Sequence, residues 1–352
     1  MKKGFVKKTV STALAVLVSC PAVSANAMIK TDKQVRDPCV ILSNDTYYMY
    51  GTGLSWPGYG CCKSTDLINW SGNVPVFTPS ADFDGTTDFW APECHCYNGS
   101  YYLFATYRSA VSGKRGVAVF RCDTPDGQFE MISDGHVTPS EHDSIDGTLY
   151  IDENGDQWMV YVSEWTSNDD EIGEMAAARL SDDLSHFVSS PVTLFRADDP
   201  LWTDDHVTDG PWLYRTSGGR LIMLWSNFDD GGYCIGVAYS SNGKIDGVWH
   251  HQPVTLYSKT GGRAADAGHS MLFTDKEGRL MLSAHSPNGA TENDPTTAVF
   301  FEVEDTGDTL VLKEDCSRAE KAFLKVYYRL ADIFNPVNDG IKSFFSSLKK
   351  TC

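Results

Sequence analysis

The sequence predicts an all-β protein, a five-bladed β-propeller followed by a short helical tail. Three observations carry that expectation. Five short polar signatures recur roughly 50–65 residues apart: Arg36-Asp37-Pro38-Cys39, Trp90-Ala91-Pro92-Glu93, Ser144-Ile145-Asp146-Gly147, Thr208-Asp209-Gly210-Pro211 and Ala267-Gly268-His269-Ser270. A fixed period of this size marks a repeat architecture. Each signature runs into a tight-turn signal and then an aromatic or aliphatic strand, such as YYMYGT, YYLFATY, WMVYVSEW, LIMLWSNF and LMLSAH.

Within each unit the elements follow from local chemistry. The turns fall at Asn44-Asp45, Asn98-Gly99, Asn154-Gly155, Gly218-Gly219 and Glu277-Gly278, residues that supply the positive φ of tight hairpins. A further β segment follows in most units, as in RGVAVFRC, EMAAARL, YCIGVAYS and TAVFFEVE. Polar turns close units, as in Ser64-Thr65-Asp66-Leu67 before Trp70 and Ser181-Asp182-Asp183-Leu184 before Phe187. Three or four antiparallel strands per unit make a propeller blade, whose innermost strand lines the central channel. The signatures then gather at one channel mouth. Four of them carry a carboxylate and the fifth a histidine.

The propeller is expected over residues 28–316. Residues 1–27 read as an export signal, with a basic start (MKKGFVKK), a short apolar run and the small-x-small site Ala25-Asn26-Ala27. Leu17-Val18-Ser19-Cys20 also resembles a lipoprotein box, so lipidation at Cys20 stays open beside simple secretion. Residues 317–352 form the tail. Phe323, Val326, Tyr327, Leu330 and Phe334 are spaced as on a helix, Pro336 is expected to interrupt it, and Ile341, Phe344, Phe345 and Leu348 resume the pattern. The tail reads as a docked helix or, alternatively, as one that binds a membrane surface or partner.

The net charge is −18, and about −22 without the four lysines of residues 1–27. Such a surface repels phosphate, which argues against a nucleic-acid partner. Ten cysteines in an exported chain suggest disulfides, without fixing their connectivity, and no Cys/His spacing matches a zinc site. The acidic stretch Asp198, Asp199, Asp204 and Asp205 reads as a solvated loop.

Glycosidic hydrolysis needs one carboxyl group to protonate the leaving oxygen and another to activate water or attack carbon. A third acid nearby shifts the others, because like charges resist joint ionisation. Asp37, Asp146 and Asp209 supply such a set. Alone, each is an ordinary strand or turn residue; their recurrence at matching blade positions points to chemistry.

RDPCVI, WAPECH, SIDGTLY, TDGPWLY and GHSMLF together resemble the blade signatures of glycoside hydrolase family 43, over about residues 33–315. The resemblance implies a five-bladed propeller and an inverting mechanism on α-L-arabinofuranosides or β-D-xylosides of plant cell walls. It implies Asp37 as general base, Asp146 as the residue tuning and orienting the acid, and Asp209 as general acid. Trp90 and Glu93 would line the sugar pocket. His269 would stand at the channel axis, where the family associates a calcium ion or its waters; no organic cofactor is implied. Asp209 departs from the family's usual glutamate, one methylene longer. That departure leaves open another acid (Glu93, Asp205 or Glu164) and a propeller that binds carbohydrate without turnover.

Overall fold

The computed structural model describes residues 28–349 apart from 262, 292–293 and 314–315, and side chains apart from those of 261 and 336–349. The proposed export signal, Cys20 and Cys352 lie outside the described residues. Four of the five blades are consecutive meanders of four antiparallel strands. The first holds β2 (Arg36–Ser43), β3 (Thr46–Thr52), β4 (Tyr59–Ser64) and β5 (Val74–Phe77). The second holds β6 (Gly85–Tyr97), β7 (Ser100–Ser109), β8 (Arg115–Cys122) and β9 (Glu130–Met131). The third holds β10 (Ser144–Ile151), β11 (Gln157–Ser163), β12 (Glu174–Arg179) and β13 (Val192–Arg196). The fourth holds β14 (Asp209–Arg215), β15 (Leu221–Asp229), β16 (Gly232–Ser240) and β17 (Trp249–His251).

The fifth blade closes the ring. Its β18 (Gly268–Thr274), β19 (Leu280–Ser286) and β20 (Thr297–Asp305) come from the end of the propeller, but its outer strand is β1 (Met28–Gln34), paired antiparallel to β20. A short β21 (Leu310–Leu312) pairs with the rest of β20. Joining the chain's first strand to its last blade removes the free edge that an open ring would leave.

The turn chemistry is as the residues dictate. Asn44 and Asp45, like Asn98 and Gly99, all have positive φ, giving two-residue hairpins. Gly155, Gly219 and Gly278 each take the left-handed position of a longer turn. In the two Ser-x-Asp-Leu turns, Leu67 and Leu184 both have φ of 64°. Both side chains are buried, so packing offsets a strain of about 1 kcal/mol or more per residue. Between blades the core is aromatic, with Trp225, Tyr59, Phe104, Phe120 and Phe300 fully enclosed.

The tail is one helix, α1 (Arg318–Lys349). It continues through Pro336, which corrects the expected interruption: an interior proline removes one hydrogen bond but need not end a helix. Its first half docks on the last two blades. Leu324, Tyr328 and Ala331 are buried, the Tyr328 hydroxyl donates to Gln252 Oε1 at 3.0 Å, and Tyr327 donates to the His251 carbonyl at 2.9 Å. No helix among the described residues is long and apolar enough to cross a membrane.

The expected disulfides do not form among Cys39, Cys61, Cys62, Cys94, Cys96, Cys122 and Cys234, which are free thiols. Cys39, Cys61 and Cys94 serve as small apolar groups in the core of the first two blades. Burial pushes the Cys61 and Cys62 thiols up to about 12.

Candidate active site

All five innermost strands carry the same irregularity. The register slips between Arg36 and Cys39, Trp90 and Glu93, Ile145 and Thr148, Asp209 and Trp212, and Gly268 and Met271. In each slip the first bulged residue is left-handed: Asp37 (φ 55°), Ala91 (40°), Asp146 (56°), Gly210 (49°) and His269 (53°). A bulge takes its residue out of the ladder and re-aims both side chain and N–H.

The freed N–H groups stitch the ring. In four of five junctions the bulge N–H donates to a side chain on the second strand of the preceding blade, at the position paired with the residue before that blade's own bulge. Ala91 donates to Thr52 Oγ1 (2.7 Å), Asp146 to Thr106 Oγ1 (3.2 Å), His269 to Ser226 Oγ (2.8 Å) and Asp37 to His285 Nδ1 (3.2 Å). At the remaining junction the corresponding residue is Val162, paired with Ile145, which offers no acceptor. There the Gly210 N–H donates to Asp146 Oδ2 at 3.0 Å. The gap in the stitching thus ties Asp146 to the strand that carries Asp209.

This register corrects one expectation. Asp37 and Asp146 occupy equivalent bulge positions, but Asp209 stands one residue earlier, and Gly210 takes the bulge. Glycine is required there: a Cβ on Gly210 would lie 2.8 Å from the His269 ring.

The structure brings Asp37, Asp146, Asp209 and His269 together at the channel mouth. Asp37 is buried, and its Oδ2 accepts from Thr52 Oγ1 at 2.6 Å while Oδ1 lies 3.2 Å from His269 Nδ1. Burial alone would raise its pKa. Electrostatic contact with His269 and the Arg36 charge outweigh that and hold it well below the usual carboxylate range. His285 accepts the Asp37 N–H at Nδ1, which assigns its proton to Nε2, facing Asn288 Oδ1 at 3.2 Å.

Asp209 is the opposite case. It is half-buried, and its Oδ2 accepts a hydrogen bond from the Tyr233 hydroxyl at 2.9 Å. Desolvation first, then the charge of Asp146, push its pKa well above the usual range; the Tyr233 bond only partly opposes this. The Tyr233 ring is fixed by stacking on His285 at 5.4 Å and by Gly268, where any Cβ would lie 2.2 Å from it. Asp146 lies between them, raised by burial, with His269 Nδ1 3.7 Å from its Oδ2. One channel therefore holds a carboxyl whose pKa is held low and a carboxyl whose pKa is pushed high, the division of labour that acid–base chemistry requires.

The sequence model of glycosyl hydrolases family 43 matches residues 29–302. The chain belongs to that family. It is therefore a hydrolase of O-glycosyl bonds, and its propeller is the family's. The crystal structure of an endo-arabinase from Bacteroides thetaiotaomicron VPI-5482 is 36% identical with a TM-score of 0.70, covering 78% of this chain and 95% of that one. A probable arabinan endo-1,5-α-L-arabinosidase A of Emericella nidulans is 25% identical over 290 residues, 77% of this chain and 83% of the relative. An extracellular exo-α-(1→5)-L-arabinofuranosidase of Cellvibrio japonicus is 28% identical over 192 residues, 49% of this chain; the match spans half of that relative's length.

The remaining acids of this family 43 hydrolase are otherwise engaged. Glu93 is only 3% exposed, and His95 and Thr148 both hydrogen-bond its Oε1. It is a charge beneath Asp146 rather than an open pocket wall. Glu164 is buried and paired with Arg115 at 2.7 Å. Asp205 accepts the N–H groups of His206 and Val207 in its own loop. Trp90 is half-buried at the channel mouth, with the Arg115 guanidinium 5.1 Å over its ring. Thr52, Tyr233, His285 and Arg115 escape the sequence reading. The one available signal is that Thr52 ends the strand paired with the Asp37 segment.

The described side chains alone do not form a calcium cage, so an ion at the axis would be held chiefly through waters. Calcium takes roughly six to eight oxygen ligands. His269 offers nitrogen, its Nδ1 faces two carboxylates, and among the described residues no group of three or more His, Cys, Asp or Glu is arranged to hold a metal.

Proposed function

We propose that this protein is an inverting arabinan hydrolase that cleaves α-1,5-linked L-arabinofuranosyl chains internally. The observation that carries the reading is the unequal pair of carboxyls in the channel: Asp37 is held by Thr52 and faces His269 Nδ1 at 3.2 Å, whereas Asp209 is held by the neutral Tyr233 hydroxyl, so their pKa values are pushed apart. Asp37 takes a proton from water as that water attacks the anomeric carbon from one face. Asp209 gives its proton to the departing glycosidic oxygen on the other. Thr52 fixes the orientation of the base and Tyr233 that of the acid. Asp146, held by the Gly210 N–H, keeps Asp209 protonated through its charge.

Arabinan is favoured over xylan because a solved relative 36% identical, matched over 95% of its own chain, is named an endo-arabinase. Export belongs to the same reading: residues 1–27 have the form of a signal, and the Cellvibrio japonicus and Bacillus subtilis relatives are named extracellular. Incubation with linear arabinan, arabinoxylan and xylan tests it. The expected result is short arabino-oligosaccharides from arabinan, with the first-formed reducing end, followed by NMR, in the β configuration. Release from xylan alone, or an α first product, would sink the proposal.

A further inference from the structure

The largest unexplained apolar side chain on the propeller is Trp56, 66% exposed. Exposed tryptophan is uncommon, since the ring carries a large apolar area. Its loop starts right after Thr52, whose hydroxyl holds both Asp37 and the Ala91 N–H. Four residues of chain reach at most about 14 Å, so Trp56 lies within a few sugar units of the proposed base. Its ring meets Phe89 edge-on at 5.7 Å, and Phe89 is the chain neighbour of Trp90. Trp56 therefore stands on the catalytic face, at the seam of the first two blades.

The loop is built to hold that position. Leu54 and Tyr59 flank it and are buried, and the Tyr59 hydroxyl donates to the Thr106 carbonyl at 2.7 Å. A Cβ on Gly58 would lie 2.1 Å from the Phe77 carbonyl oxygen, and one on Gly60 would lie 2.7 Å from that of Leu54. Little freedom remains to be lost when a ligand arrives. The surroundings are polar, with Thr86 and Thr87 exposed beside Phe89. An exposed aromatic face suits a ligand with an apolar C–H face and hydroxyl edges.

We infer that Trp56 is a distal subsite platform that stacks against a furanosyl unit of the polymer outside the bond being cut. This rests on the arabinan reading above. With a rigid platform beyond the scissile bond, a long chain is gripped at two places, and a monosaccharide glycoside at one.

Trp56→Ala and Trp56→Phe, with folding verified by circular dichroism, test the inference. For Trp56→Ala, the ratio of kcat/KM on linear arabinan to kcat/KM on nitrophenyl α-L-arabinofuranoside is expected to fall about five- to tenfold, through KM on the polymer. Trp56→Phe should recover most of it. An unchanged ratio, or a KM on the polymer that does not move, would overturn the inference. Affinity electrophoresis of the Asp37→Asn protein in gels containing arabinan, arabinoxylan or xylan reads the platform without turnover. Retardation by one of these polymers that Trp56→Ala abolishes supports the platform even if arabinan proves not to be the substrate. Retardation that Trp56→Ala leaves intact, or none at all, overturns it.

Discussion

Asp37→Asn is expected to lower kcat on arabinan by about a thousandfold, the scale of a lost general base. Asparagine is the informative substitution. Asp37 sits at φ 55°, which asparagine tolerates far better than alanine. The amide keeps an oxygen toward Thr52 Oγ1 but takes no proton from water. Reducing-sugar release at fixed enzyme concentration, beside an unchanged thermal melt, checks the result. Activity within tenfold of the parent would remove Asp37 from the role of base.

Asp209→Asn is expected to separate substrates by their leaving groups. An arabinan chain leaves as an alkoxide unless protonated, so kcat should fall about a hundred- to a thousandfold. A nitrophenolate leaves without help, so the corresponding glycoside should lose far less. The measurement is kcat for both substrates in parent and variant. Equal losses would mean that Asp209 positions the sugar rather than protonating the leaving oxygen. The side chain is a methylene shorter than glutamate, and the structure holds it through Tyr233, whose ring is wedged between His285 and Gly268.

Much of the fold was legible because each blade repeats one local instruction. Asn44-Asp45 and Asn98-Gly99 demand tight hairpins wherever they stand, and the strands they join need only pair with their sequence neighbours. Closure of the ring was not legible. Met28–Gln34 pairs with Thr297–Asp305, and nothing in either segment names the other. The acids were legible by type but not by register. Asp209 precedes its bulge while Asp37 and Asp146 begin theirs, and the slip shows only once the strands are paired. The stitching of the ring was hidden for the same reason: Thr52, Thr106, Ser226 and His285 are unremarkable residues until the next blade's N–H arrives. The cysteines misled because exported chains often use disulfides, whereas here Cys39, Cys61 and Cys94 pack as small apolar core groups.

One channel holds a base with its pKa pushed low and an acid with its pKa pushed high, and the pH dependence of kcat/KM reads both. Asp37 acts deprotonated and is held low, so activity should survive acidification until below the usual carboxylate range. Asp209 acts protonated and is held high, so activity should fall with rising pH only well above that range. Because the three carboxylates interact, the two limbs belong to the cluster as a whole. The decisive measurement is this profile on linear arabinan, whose leaving oxygen needs the proton, for the parent and Asp209→Asn. The account predicts a bell for the parent and loss of the alkaline limb alone in the variant. An alkaline limb that persists in Asp209→Asn would contradict it.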